Sequence, residues 1–190
     1  RGLYKTIDGG ESWTKILFSN TSSGIADLVI DKSNPKKIFA ALYEHHRTPY
    51  SFVSGGKGSG LYRSEDSGES WNIIGPEQGF PEGELGRIGI AIAPSNSNRI
   101  YAKVEAKKNV LYRSDDGGST WMVINENSKF TNNRPFYFQD LAVDTADEDR
   151  LYNIYQPLSV SYNGGKTFDT TPMIPADETK GIHADFHAMW

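Results

Sequence analysis

The stretch LYRSDDGGSTWMVI, residues 111–124, decides the fold because it recurs along the chain. Similar stretches are LYKTIDGGESWTKI at 3–16, LYRSEDSGESWNII at 61–74 and SVSYNGGKTFDTT at 159–171. They share the frame Ser/Thr-x-Asp-x-Gly-x-Ser/Thr-Trp, with Asn and Phe replacing Asp and Trp in the last copy. We call these copies the first to fourth box, at 6–13, 64–71, 114–121 and 161–168. Their aromatic positions are 58, 50 and 47 residues apart, which is typical of supersecondary repeats with loop insertions.

The residue types of the box favour a tight turn between two strands. A short carboxylate or amide accepts hydrogen bonds from turn N–H groups, and glycine supplies positive φ without steric strain. The aromatic residue begins the outgoing strand and can bury a large apolar face. We therefore assign a structural role to Asp8, Trp13, Asp66, Trp71, Asp116, Trp121, Asn163 and Phe168.

A second pattern lies between successive boxes, at 25–42, 88–104 and 141–155. Each of these segments is a short alternating apolar stretch, a polar turn and a further stretch beginning with Ile or Leu and an aromatic residue. Each repeat thus predicts four short antiparallel strands and almost no helix. At this period, such a unit is typical of one blade of an all-β β-propeller.

The repeats also predict the boundaries of the blades. We expect a half blade at 1–17, whole blades at 24–75, 85–125 and 138–171, and the start of another blade at 181–190. Propellers close with about 4–8 blades. The sequence therefore predicts about three and a half blades of a larger propeller, whose remaining blades are an expected partner.

Composition excludes several classes of function. The chain has 190 residues, a formal net charge of −4 and no cysteine. It therefore lacks the basic field that binds nucleic acid, and it cannot form disulfides or cysteine metal sites. No apolar run approaches the roughly 18–20 residues of a membrane span. The glycines of GGKGSG at 55–60 lack the strand and helix context of a phosphate loop, and we expect no cofactor.

The box resembles the Asp-box, or bacterial neuraminidase (BNR) repeat. This repeat is shared by sialidases, xyloglucanase-like glycoside hydrolases, photosystem assembly propellers and sortilin-type receptors. The stretches 45–71, 85–102 and 181–190 resemble large secreted bacterial proteins labelled glycosyl hydrolase or sortilin-like repeat proteins. This resemblance implies a propeller region of a longer exported protein that is secreted, periplasmic or at the cell surface.

The insertion at 43–60 is the first candidate binding region, because long loops on rigid scaffolds often carry binding residues. Its side chains can contact a sugar hydroxyl, a carboxylate or a peptide. The alternative is a loop that only covers a neighbouring blade, with glycines permitting tight bends. The candidate residues are His45, His46, Arg47 and Tyr50.

The last segment supplies the second candidate site. If it forms an innermost strand, His183, Asp185 and His187 share one face and can hold a metal ion or act as acid and base. Alignment of the repeats places His187 level with Asp27, Gly89 and Asp140 on the other first strands. We therefore expect a polar site near the propeller axis; the alternative is that these groups only bond adjacent blades. Its expected members are Asp27, Asp140, His183, Asp185 and His187.

Two classes of function remain open. A binding or scaffolding propeller would take a glycan, peptide or protein ligand, and we favour this class. A xyloglucanase-like hydrolase would instead use paired carboxylates across a groove. The arginine motif that precedes the boxes in sialidases is absent, and Arg63 and Arg113 share one position of the box strand, which argues against a sialidase.

Overall fold

The structure, a computed structural model, describes residues 1–131, 134–155 and 158–170. This part of the chain is nearly all β, and its paired strands run antiparallel. The candidates His183, Asp185 and His187 and the expected blade start at 181–190 lie outside the described residues.

The first half of the chain forms two sheets. A two-stranded sheet contains β1 (Leu3–Lys5) and β2 (Thr14–Leu17). The following sheet contains β3 (Ser23–Ile30), β4 (Ile38–Arg47), β5 (Phe52–Ser54), β6 (Gly60–Ser64) and β7 (Asn72–Ile74). Its strand order is β3-β4-β6-β7, and β5 pairs with the far end of β4. We call this sheet the first blade.

Two further four-stranded sheets follow. After a 3-10 turn at Pro76–Gln78, the second blade contains β8 (Ile88–Ala93), β9 (Asn96–Val104), β10 (Val110–Ser114) and β11 (Met122–Asn125). A short helix, α1 (Ser128–Thr131), precedes the third blade. That blade contains β12 (Leu141–Val143), β13 (Leu151–Asn153), β14 (Ser159–Ser161) and β15 (Asp169–Thr170). The first strands of the three blades converge, because β3 lies beside β8 and β8 beside β12.

Each box forms a hydrogen-bonded turn between the last two strands of its sheet, as the second box illustrates. The Ser64 hydroxyl donates to Asp66 Oδ1 (2.7 Å) and accepts from the N–H of Gly68 (2.8 Å). Asp66 also accepts from the Ser70 N–H (2.9 Å) and hydroxyl (2.5 Å), and Trp71 Nε1 donates to the Gly68 carbonyl (3.1 Å). The bond from the Ser70 hydroxyl, with the other donors, lowers the pKa of Asp66 to about 2.

The fourth box keeps this geometry with an amide in place of the carboxylate. Asn163 Oδ1 accepts from the Ser161 hydroxyl (3.0 Å) and the Thr167 N–H (2.9 Å). Asn163 Nδ2 donates to the Thr167 hydroxyl oxygen (2.8 Å), so the direction of this one bond is reversed. The structure thus gives the box residues the turn contacts expected from the sequence.

The glycine at the fifth position of a box also joins its sheet to the preceding one. In three boxes this glycine packs against an apolar side chain of the preceding sheet. The pairs are Gly68 with Ile16, Gly118 with Phe39, and Gly165 with Leu111. A Cβ on Gly118 would lie 2.6 Å from Phe39 Cζ, so the Phe39 ring or the turn would have to move. The first box lacks such a neighbour, because a Cβ on Gly10 would meet only its own Trp13, at 4.0 Å.

Cationic side chains on the box strands also reach from one sheet to the next. They lie beside the glycine contacts between sheets, which we call the joints. Lys5 Nζ donates to the carbonyl of Ser67 in the second box (2.9 Å), and Arg63 Nη1 donates to the hydroxyl of Ser119 in the third (3.1 Å). A Cβ on Gly164 in the fourth box would lie 2.8 Å from Arg113 Nη1. These three cations occupy the position immediately before their boxes, and each reaches the box of the following sheet.

The hydrophobic core lies between the blades. The largest cluster joins the first and second blades and includes Phe39, Leu61 and Ile100, while a second cluster joins the second and third blades through Tyr101 and Leu151. Box aromatics are covered by aromatic residues of the segment that enters their blade: Phe80 stacks edge-on against Trp121 and Phe130 lies against Phe168, with ring centroids 5.3 Å apart in both pairs. Trp121 is therefore 5% exposed, whereas Trp13 is 59% exposed.

The joint at Gly118 predicts a difference between two chemically identical substitutions. Gly10 and Gly118 both have positive φ, at 100° and 89°, so alanine is strained at either position. Gly118→Ala additionally forces its methyl group against Phe39. We expect Gly118→Ala to lower the free energy of unfolding by about 1–3 kcal/mol more than Gly10→Ala. Urea unfolding of both variants measures this difference. Equal decreases in the free energy of unfolding would contradict a stabilising contact between Gly118 and Phe39.

Candidate functional site

The insertion predicted as a loop is largely a β-hairpin. β4 continues beyond its pairing with β6 and returns as β5, forming what we call the β4–β5 hairpin, residues 43–54. Its cross-strand pairs are His45 with Ser54, His46 with Val53 and Arg47 with Phe52. Because strand side chains alternate, His45, Arg47 and Phe52 lie on one face, and His46 lies on the other.

The glycine-rich segment after the hairpin packs closely against two polar side chains. Glu44 Oε2 accepts from Asn20 Nδ2 (3.0 Å) and from the N–H of Gly58 (2.9 Å). The bond from Asn20, followed by that from Gly58, lowers the pKa of Glu44. A Cβ on Gly56 would meet the Glu44 carboxylate, and one on Gly58 would meet Asn20. These glycines therefore serve close packing.

Aromatic rings from the hairpin and from the segment before β12 form a continuous row. Ring centroids are 5.3 Å apart for Tyr43 and His45, 5.5 Å for His45 and Phe52, and 4.7 Å for Phe52 and Phe136. We call these four residues the aromatic row. The row connects the first blade to the segment that leads into the third, although these elements are far apart in the sequence.

A cleft of about 400 Å³ opens beside the aromatic row. Three members of the row lie in its wall, and the opposite side is the beginning of β3, where the register with β4 shifts between Ile25 and Asp27. Bulges of this kind often lie next to functional sites. The lining residues are Arg1, Gly24, Ile25, Ala26, Tyr43, His45, Arg87 and Phe136.

Arg87 holds the wall of the cleft in position. Its Nη1 donates to the carbonyls of Tyr137 (2.9 Å) and Phe136 (3.3 Å), and its Nη2 lies 3.5 Å from Asp140 Oδ1. The guanidinium of the second blade therefore fixes the segment that carries Phe136. Because Arg87 also lines the cleft, it brings a positive charge to the cleft.

Glu105 of the second blade fixes the hairpin from the other side. Its carboxylate accepts from the Ser54 hydroxyl (2.8 Å) and from the Arg87 N–H (2.8 Å). The Ser54 hydroxyl oxygen lies 2.7 Å from the Tyr43 hydroxyl, and burial raises the pKa of Tyr43. The cleft is thus held by a polar network as well as by ring contacts.

Asp27 connects the first strands of two blades. One carboxylate oxygen accepts from the N–H of Leu28 (2.8 Å), and the other accepts from the N–H of Ile90 on β8 (2.9 Å). Burial raises the pKa of Asp27 despite these donors, with a smaller contribution in the same direction from Asp140. Asp27 therefore bonds the first blade to the second, which is the alternative role that the sequence predicts for these polar groups.

The structure brings together only part of the residues predicted to form a site. Asp27 and Asp140 lie close enough to interact electrostatically, and His45 lines the cleft. Gly89 allows β8 to lie close to the segment before β12, because a Cβ at this position would clash with the Gln139 carbonyl. Three hairpin candidates do not line the cleft, and Tyr50 at the tip is 98% exposed. Those three are His46, Arg47 and Tyr50.

Lys103 is a buried ionisable group that belongs to none of the predicted sites. It is 1% exposed, its Nζ donates to Asn153 Oδ1 of the third blade (2.8 Å), and it lies 6.0 Å from the ring centroid of Tyr155. Burial lowers the pKa of Lys103 to about 7, although Asp140 acts in the opposite direction. A sequence signal was present, because the repeats place a lysine where the neighbouring blades have Ala41 and Ile154.

Within residues 1–131, 134–155 and 158–170, no group of three or more His, Cys, Asp or Glu side chains is placed to hold a metal ion. The same part of the chain contains no helix long and apolar enough to cross a membrane. These findings leave the proposed metal role of His183, Asp185 and His187 untested, since these residues are not described.

Comparison with known proteins identifies the fold. No described protein family and no curated protein matches the sequence. The GH74 xyloglucanase of Xanthomonas campestris is similar with a TM-score of 0.61 and 17% identity, over 86% of this chain and 24% of that chain. The Niastella koreensis GH74 enzyme gives 0.61 and 19%, over 92% and 27%. The structure of YCF48 bound to D1 peptide gives 0.54 and 13%, over 81% and 41%.

These similar structures are β-propeller proteins, and the chain spans well under half of each of them. Together with the four-stranded antiparallel sheets, they confirm the predicted all-β β-propeller fold. At this level of identity the similarity establishes the fold and leaves the activity open.

The environment of Lys103 predicts a pH-dependent stability. Lysine titrates near 10.5 in the unfolded chain, so between that pH and about 7 the unfolded state binds a proton that the folded state does not. Stability should therefore rise with pH over this interval. We expect Lys103→Met to stabilise the protein at neutral pH and to remove this rise, because a buried ionisable group is replaced by an apolar one.

Urea unfolding between about pH 7 and about pH 10 tests this expectation. Lys108→Met is the matched control, because its ammonium is exposed and contacts Glu126 (2.6 Å). The control should keep the rise in stability with pH. A Lys103→Met protein with an unchanged pH dependence would contradict the assignment.

Proposed function

We propose that this chain is the ligand-binding region of a β-propeller, and that its ligand lies in the cleft beside the aromatic row. The observation that carries the proposal is the assembly of Tyr43, His45 and Phe136 around one cleft that also contains Arg87. Aromatic faces bind the apolar faces of sugars and side chains, and a few polar groups then set the orientation. A glycan or an extended peptide of a protein partner fits this chemistry.

The contacts of the nearby carboxylates favour binding over hydrolysis. Both oxygens of Asp27 accept backbone N–H groups, and Asp140 faces Arg87. A glycoside hydrolase needs one carboxyl group to protonate the leaving oxygen and a second that is free to act on water or the sugar. Carboxylates already engaged in joining strands are poorly placed for either role.

Part of a glycoside hydrolase is the second candidate, and one observation favours it. The raised pKa of Asp27 is the property that a general acid requires, and Asp140 lies near it. The similarity to GH74 enzymes is compatible with this function. The two proposals differ in a simple way: hydrolysis requires Asp27 to act chemically, whereas binding requires it only to connect β3 and β8.

The proposal also concerns the longer protein to which this region belongs. We infer an exported Asp-box protein of the sortilin-like or glycosyl hydrolase-labelled kind, with a half blade at 1–17, blades at 24–75, 85–125 and 138–171, and further blades completing the ring. The exposure of Trp13 supports the further blades, since the equivalent Trp121 and Phe168 are covered. An apolar cleft of about 320 Å³ between β1 and β3, lined by Leu3, Ile16 and Leu28, supports them as well.

The binding proposal predicts which aromatic residues matter. Glycan and peptide arrays probed with the protein should identify ligands, and calorimetry should then give their affinities. We expect Phe136→Ala to weaken binding by about tenfold, because it removes a ring from the wall of the cleft. Tyr50→Ala is the matched control: it removes an aromatic ring from the same region but outside the cleft, and it should leave the affinity unchanged.

Loss of affinity in Tyr50→Ala with none in Phe136→Ala would place the ligand at the tip of the hairpin and overturn the proposed site. For the hydrolase, the protein is incubated with a panel of β-glucans and the release of reducing ends is measured. Turnover that disappears in Asp27→Asn would establish catalysis. Saturable binding without turnover supports the binding region.

A further inference from the structure

The fourth box contains a dipeptide with its own chemical reactivity. Asn163 is followed by Gly164, and no other asparagine of the sequence precedes a glycine. Glycine has no side chain to obstruct an attack by its backbone nitrogen on the preceding asparagine side chain. Asparagine is among the thermally labile residues of proteins for reasons of this kind.

The joint between the second and third blades fixes this glycine. Gly164 has a φ of 69°, and a Cβ there would lie 2.8 Å from both Arg113 Nη1 and Asp149 Oδ1. A larger residue would have to adopt the left-handed backbone, as Ser67 does at the equivalent position of the second box (φ 65°), and would also displace these two charged groups. The positive φ and the close packing thus favour glycine at this position, which keeps the reactive dipeptide.

The other boxes hold carboxylates at the equivalent position. Asp8 and Asp116 also precede glycine, but hydrogen bonds lower the pKa of both groups, so they remain ionised. An ionised carboxylate is a poor electrophile, because its negative charge repels the attacking nitrogen. The Asn163 amide has no such protection at any ordinary pH, which distinguishes the fourth box from the first and third.

We propose that Asn163 is a site of spontaneous deamidation and that the closed fourth box restrains the reaction. The backbone nitrogen of Gly164 forms a bond to Asn163 Cγ, the bond from Cγ to Nδ2 breaks, and Nδ2 leaves as ammonia with the proton of Gly164. Water then opens the resulting five-membered imide at either carbonyl. The products are aspartate and isoaspartate at position 163.

The restraint acts on both reacting groups. The N–H of Gly164 donates to the Asp149 carbonyl (2.9 Å), and this bond must break before the nitrogen can lose its proton and attack. The amide of Asn163 is held by the Ser161 hydroxyl and by the N–H and hydroxyl of Thr167. Both sets of bonds must open before the ring can close, so the reaction proceeds from an opened box.

The two products have opposite effects on the blade. Aspartate at 163 matches Asp66 and Asp116 and can accept from the Thr167 hydroxyl as they do from Ser70 and Thr120. Isoaspartate inserts one methylene group into the backbone, which lengthens the turn and removes the side-chain acceptor from its position. Deamidation therefore either converts the fourth box to the sequence of the others or disrupts it.

Peptide mapping by mass spectrometry tests the proposal after incubation at mildly alkaline pH. The protein is compared with a synthetic peptide of residues 158–170, and Asn163→Asp provides the standard for the aspartate product. We expect deamidation at Asn163 in both samples, slower in the folded protein by on the order of tenfold or more. No conversion in the peptide, or equal rates in peptide and protein, would overturn the proposal.

A pair of variants separates local opening from general instability. Thr167→Val removes the hydroxyl that accepts from Asn163 Nδ2, and Thr120→Val removes the equivalent hydroxyl of the third box. We expect only Thr167→Val to accelerate deamidation at Asn163. Equal acceleration by the two variants, or none by Thr167→Val in a protein that circular dichroism shows to be folded, would contradict restraint by the fourth box.

Discussion

The contact of a box glycine with a side chain of the preceding sheet is the constraint on which the rest of the structure depends. At Gly118 the Phe39 ring occupies the space that a Cβ would need, and the same arrangement recurs at Gly68 and Gly165. The glycine thus shapes the turn and also sets the distance between blades. With that distance fixed, the apolar faces of adjacent sheets form the core, and their first strands converge.

The cleft follows from this convergence, because no single blade contains it. Its wall combines the hairpin of the first blade with Phe136 from the segment before the third, and Arg87 and Glu105 of the second blade hold the two together. The half-buried carboxylate of Asp27 and the buried amine of Lys103 both bridge adjacent blades at this end. Buried polar groups of this kind fix one arrangement of the blades, since each must keep its partner.

Local patterns explain why the sequence predicts the architecture well. The box frame and the alternating strands depend on residues within one repeat, so the all-β propeller and its blades follow from spacing and residue type. The aromatic row depends on contacts between His45, Phe52 and Phe136, which belong to different repeats and share no motif. The sequence also does not predict the strand pairing of the β4–β5 hairpin. His45 and Phe52 alternate with polar residues in a pattern that a loop can have. The repeats identify Asp27 as a polar residue of a first strand, but its partner Ile90 is visible only in the structure.

The glycine joints have a direction. In each joint the later blade provides the glycine and the earlier blade provides the side chain, so a box can reach its final packing only after the preceding sheet is in place. Cooperativity in such an array passes between nearest neighbours. Assembly would then follow the order in which the chain is synthesised, each finished sheet serving as the template for the next.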